Sequence, residues 1–100
     1  MLDYQLISNA ASTLLTEEET LLGFQRNGWI TTVQRNDSVF LASDQTYRAK
    51  YILYLTNTRK LTDKQIGTVL DFQRPPYSAA QVDEILRRES DDPKLDRADA

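Results

Sequence analysis

At 100 residues, with 40% apolar side chains, the chain has room for one modest core; a second does not fit once the polar C-terminal end is discounted. It contains no Cys and no His, which excludes disulfide staples and zinc sites built from those ligands. The formal net charge of -3 is uneven: the residues through Pro75 are balanced, and the excess acid lies in Pro76 to Ala100, so a strongly basic nucleic-acid binder is excluded.

In chain order, Leu2 to Leu15 reads as a first short helix, with Leu6, Ile7, Ala10, Ala11, Leu14 and Leu15 recurring on one face and Asp3 as its cap. Thr16 followed by Glu19 has the spacing of a capping box, so a second helix is expected from there to about Arg26. It stops at Asn27-Gly28, where glycine readily takes the left-handed conformation that ends a helix. The period then changes: Ile30, Thr32 and Gln34 alternate with Thr31, Val33 and Arg35, a turn follows at Asn36-Asp37-Ser38, and Val39 to Leu41 resumes extended character. A small hairpin is expected.

Ser43-Asp44 is placed to cap a third helix of about fifteen residues, with Tyr47, Tyr51, Tyr54 and Leu55 on one stripe and Ile52 and Leu53 widening the buried arc. Thr62 or Asp63 caps a fourth, with Leu61, Ile66, Val69 and Leu70 on a common face. Pro75 and Pro76 cannot continue it, and Ser78 with Gln81 repeats the capping-box spacing before a fifth helix with Ala79, Val82, Ile85 and Leu86 inward. From Ser90 to Ala100 almost nothing can be buried, and an acidic disordered tail is expected. The longest apolar runs, such as Tyr51 to Leu55, fall far short of the roughly 20 residues of a membrane span, and no basic-then-apolar leader opens the chain. The expectation is a soluble cytoplasmic protein, with no membrane association.

The order helix, turn, helix, hairpin, long helix, short helix is that of a winged helix-turn-helix. Ile7, Ala11, Thr20 and Leu21, then Gly28, the hairpin with Arg35, and Ser43, Tyr47, Ile52, Leu53, Leu61, Thr62, Ile66, Val69 and Leu70 together resemble the N-terminal DNA-binding domain of the MerR family over roughly residues 4 to 72. The resemblance implies a mainly α fold: a MerR-like winged helix-turn-helix domain over 1–75 with a small two-stranded wing, and an extra C-terminal helix over 76–89 that packs on it or mediates self-association. There are departures. Where the family reads Thr-Leu-Arg-Tyr-Tyr this chain reads "TLLGF", so Leu22 replaces the phosphate-contacting Arg and Gly23 the first Tyr, while Phe24 keeps the ring of the second. In the wing, Phe40 stands at a family Arg position and Arg35 is retained.

The function implied is a small transcription regulator binding double-stranded DNA, with the second helix in the major groove and the wing on neighbouring backbone. Gln25, Arg26, Asn27, Arg35 and Asn36 are the candidate contacts, with Thr31 or Thr32 beside them; the plainer reading makes Arg26 and Arg35 ordinary solvated charges. Glu17, Glu18 and Glu19 have a local role in opposing the helix dipole, and they repel phosphate. They favour an alternative, a protein-binding adapter or anti-regulator that meets a partner through this acidic edge. A homodimer is compatible with either. Trp29 and the third-helix tyrosines read as core before they read as a ligand pocket. A second helix-turn-helix pattern, with Arg74, Arg87 and Arg88 toward phosphate, is disfavoured by the long, stiff proline segment. No glycine-rich phosphate loop or nucleophile elbow is present, so no enzyme, cofactor or metal site is expected.

Overall fold

The computed structural model describes residues 3–90, which form two compact units divided after Tyr54. The first contains β1 (Tyr4–Leu6), α1 (Ile7–Thr13), α2 (Glu18–Arg26), β2 (Val33–Arg35), β3 (Ser38–Ala42) and α3 (Ser43–Leu53). In the second, after a π-helical stretch Tyr54–Thr58 that continues α3 across the division, come α4 (Asp63–Phe72), a 3-10 turn (Ala79–Gln81) and α5 (Val82–Ser90). Of the acidic tail expected over 90–100, Ser90 ends α5 and residues 91–100 lie outside the described residues.

The sheet has three antiparallel strands in the order β1-β3-β2, not the two of the expected hairpin alone. Tyr4 to Leu6, expected as the start of the first helix, instead pairs with β3, Tyr4 opposite Ala42 and Leu6 opposite Phe40. Asp3 caps no helix; its carbonyl accepts from the Ser43 N–H at 2.8 Å. The helix begins only at Ile7, and Ile7, Ala10 and Ala11 are buried as its spacing predicts, whereas Leu6 is exposed. On the other edge, Val33 pairs with Phe40 and Arg35 with Ser38 across a two-residue turn. Asn36 and Asp37 both take positive φ, 49° and 68°, the pattern of a type I′ hairpin turn whose twist suits the flanking strands.

α1 and α2 end with the same closure. At α2 the Gly28 N–H donates to Gln25 and the Trp29 N–H to Phe24, both at 3.0 Å, with Gly28 at φ 79°. At α1 the Leu15 N–H donates to Ser12 and the Thr16 N–H to Ala11, with Leu15 at φ 59°. Leu15 is therefore turned out, 92% exposed rather than inward, in a conformation that costs a non-glycine residue about 1–2 kcal/mol. Thr16 is spent on closing α1, and α2 is capped by extended Glu17 with no side-chain hydrogen bond, so the expected capping box does not form.

The Ser43-Asp44 cap also fails: Ala42 precedes the first turn of α3, and the Ser43 N–H already serves the Asp3 carbonyl. Of the expected α3 stripe, Tyr51 and Leu55 are buried with Ile52 and Leu53, but Tyr47 is exposed and Tyr54 half-buried, its ring stacked on Tyr51 at 6.1 Å. The arc is shifted toward Ala49 because residues at helical spacing with apolar rings need not all face inward.

In the second unit the fourth-helix reading holds. Thr62 Oγ1 accepts from the Gln65 N–H at 3.2 Å and Gln65 Oε1 accepts from the Thr62 N–H at 2.9 Å, a complete capping box. Ile66, Val69 and Leu70 are buried and Leu61 is half-buried. Beyond Phe72 the chain turns extended at Gln73, whose buried amide donates to the Ser78 carbonyl at 2.9 Å and ties the proline segment to the turn that follows. That turn is 3-10, and Ser78 enters it through its backbone carbonyl, with no side-chain cap. Ala79 is exposed, while Val82 and Ile85 are buried and Leu86 is half-buried. Arg59 pairs with Asp83, and Glu84 with Arg87 and Arg88.

Two stability outcomes follow. Thr62→Ala removes the cap that anchors α4 and should cost about 1 kcal/mol, read as a lower urea midpoint. The Thr56 hydroxyl is buried without a partner among the described residues, so Thr56→Val should raise stability by about 1 kcal/mol; an unchanged or lower midpoint would mean that the hydroxyl is satisfied by water.

Candidate nucleic-acid interface

α2 buries Leu21 and Phe24 and leaves Gln25, Arg26 and Asn27 exposed on its last turn. The closure at Gly28 folds the next residue back, so the Trp29 ring lies 5.8 Å from that of Phe24, tilted by 44°. Trp29 is thus half-buried against the helix it follows, a packing role. α3 holds the connecting segment: the Arg48 side chain donates to the Trp29 carbonyl, and Gln45 Oε1 accepts from the Thr31 N–H at 2.9 Å. These two positioning residues went unnoticed in the sequence, where nothing local links a polar side chain in one helix to backbone between two other elements.

Arg26 is not a free cation. Its Nη2 lies 2.8 Å from Glu19 Oε2, two turns back along the helix. A Cβ on Gly23 would meet the same nitrogen at 3.8 Å, so the guanidinium extends across the bare backbone of Gly23 to reach the glutamate. Both side chains are more than half exposed, and such a pair is typically worth no more than about 1 kcal/mol. It does nonetheless neutralise the charge locally. Glu17 and Glu18 remain exposed and have no partner among the described residues.

Arg35 and Asn36 are exposed at the β2–β3 turn. Arg35 differs from every other described arginine: Arg26, Arg48, Arg59, Arg74, Arg87 and Arg88 each have an acceptor, and Arg35 has none among the described residues. The register places Arg35 and Val33 of β2 on the same sheet face as Phe40 of β3 and Tyr4 of β1, and the four side chains line a cleft of about 110 Å³. Tyr4 is 52% exposed there, while Leu41, on the opposite face, is fully buried. The five candidate contacts thus form two groups: Gln25, Arg26 and Asn27 at the end of α2, and Arg35 with Asn36 at the hairpin turn. The cleft residues Tyr4, Val33 and Phe40 were missed; the alternation Tyr4, Gln5, Leu6 was a strand signal, but it is three residues long and was absorbed into a helical pattern.

Among the described residues no helix is long and apolar enough to cross a membrane, and no group of three or more acidic, His or Cys side chains is placed to hold a metal ion. Compared with known proteins, the chain matches no family model, no curated sequence and no solved structure.

Proposed function

We propose that the chain is a small transcription regulator that binds double-stranded DNA through a MerR-like winged helix-turn-helix, with β2–β3 as the wing. The observation that carries this reading is Arg35, a guanidinium without an acceptor among the described residues, held at a tight hairpin turn where the resemblance expects a wing arginine. The element order from α1 through α4 supports it as well. Arg35 would hold phosphate, Asn36 would add a polar contact, and Gln25 and Asn27 would reach base edges. Arg26 would contribute only by exchanging Glu19 for phosphate.

The charge pattern sets the character of such binding. Reader helices of this class commonly use their N-terminal residues on base edges, and here that end carries Glu18 and Glu19. Few phosphate contacts and a shallow salt dependence follow.

A second reading keeps the fold and exchanges the partner: an adapter or anti-regulator that binds protein through Glu17, Glu18 and Glu19. The observation favouring it is Leu15, 92% exposed immediately before that acidic edge.

Anisotropy titrations with random-sequence duplex at low and at physiological salt separate the two. On the DNA reading, Arg35→Ala lowers the salt slope by about one and weakens binding to all sequences alike, while Glu19→Gln, which frees Arg26, and Glu18→Lys both tighten it. Absence of binding at low salt rejects the DNA reading, because non-specific phosphate contacts are strongest there.

A further inference from the structure

The cleft on the open sheet face has two properties that restrict its occupant. Its volume of about 110 Å³ takes a single side chain, whereas pockets for drug-sized ligands or cofactors run to roughly 300 Å³ or more. Among the described residues its walls are Tyr4, Val33 and Phe40, and it is lined as well by Arg35, whose guanidinium has no acceptor there. An apolar side chain with a carboxylate close by in sequence satisfies both.

The chain presents such a group. Leu15 stands 92% exposed in a left-handed conformation at the turn between α1 and α2, and Glu17 and Glu18 follow at the start of α2, exposed and without partners among the described residues. Glu19 is already engaged by Arg26. Leu15 and the cleft belong to the same compact unit, and the exposure of Leu15 shows that it does not fill the cleft of its own molecule. The complementary surfaces can therefore meet only between molecules.

We propose that the chain self-associates by seating Leu15 of one copy in the Tyr4, Val33 and Phe40 cleft of another, with Glu17 or Glu18 on Arg35. Knob and cleft are different patches, so the contact is heterologous rather than a patch meeting itself. One buried leucine and one exposed ion pair make a weak contact, so the association is read at high protein concentration. The proposal goes beyond both functional readings and is tested without nucleic acid.

The experiment is a dilution series of the full chain into the millimolar range, followed by sedimentation and by amide shifts in 15N-labelled protein. The expected result is a concentration-dependent mass increase, with shifts at Leu15 to Glu18, at Tyr4, and at Val33 to Arg35. Leu15→Gly, which removes the knob and suits the positive φ, should weaken association about tenfold or more. Arg35→Glu alone and Glu17→Arg with Glu18→Arg should each do likewise, and mixing those two reversed chains should restore association. Phe72→Ser, at an exposed apolar residue of the second unit, should leave it unchanged. A chain monomeric at millimolar concentration overturns the proposal, as does a mixture of reversed chains that stays monomeric, or a loss of association in Phe72→Ser with retention in Leu15→Gly.

Discussion

The first unit depends on β3 being hydrogen-bonded to a neighbour on each edge, to β1 through Phe40 to Ala42 and to β2 through Ser38 to Phe40. It is the central strand, pairing with β1 on one side and β2 on the other, and it leads straight into α3. With a neighbour on each edge its register is constrained; a one-residue slip would exchange buried Leu41 for Phe40 and turn the whole face over. The Asp3 carbonyl takes the Ser43 N–H at the corner where strand becomes helix, so the same pairing fixes the start of α3. α3 then holds the segment between α2 and β2 through Gln45 and Arg48. The positions of α2's last turn and of the hairpin thus both refer back to β3.

This hierarchy explains which parts of the fold could be read from sequence. Features whose cause lies within a few residues were legible: the stop at Gly28, the cap at Thr62, the turn at Asn36-Asp37, the buried Ile7, Ala10 and Ala11 of α1 and the buried face of α4. Features whose cause lies across the chain were not. Tyr4 to Leu6 becomes a strand because Phe40 to Ala42 is beside it, and its own three-residue alternation is too short to carry that information. The failed caps share a reason too. Thr16 and Ser43 have suitable side chains, but the backbone of each was already committed elsewhere, Thr16 to closing α1 and Ser43 to Asp3. Ser78, the third, acts through its carbonyl, which accepts from Gln73 and from Gln81. At the candidate interface, exposure of Gln25, Arg26, Asn27, Arg35 and Asn36 followed from helix face and turn position, whereas the difference between Arg26 and Arg35 did not. It arises because Glu19 stands two turns back on Arg26's own helix, while Arg35 forms no ion pair among the described residues.

That difference organises the electrostatics of the unit. A row of free cations suits a polyanion, and an isolated one suits a single anionic group; besides Arg35, Lys50 of this unit is exposed with no ion pair among the described residues. Arg26 can serve a polyanion only by giving up a partner, and Arg35 can serve either kind of ligand at once. Its neighbours narrow the choice further, since guanidinium beside apolar and aromatic walls favours an anion that carries a hydrophobic group with it.

The two helix closures sharpen the last step. α1 and α2 end in the same hydrogen-bonded motif, and in α2 the left-handed position is filled by Gly28, which takes it without strain. In α1 the equivalent position is Leu15. Stability does not account for a leucine there, because it is strained at the backbone and its side chain is left in water. Residues that break a local rule without a compensating contact inside the molecule are those whose compensation is to be sought outside it. Leu15 carries an uncompensated apolar surface and Arg35 an uncompensated charge, and the acidic residues after the first match the second.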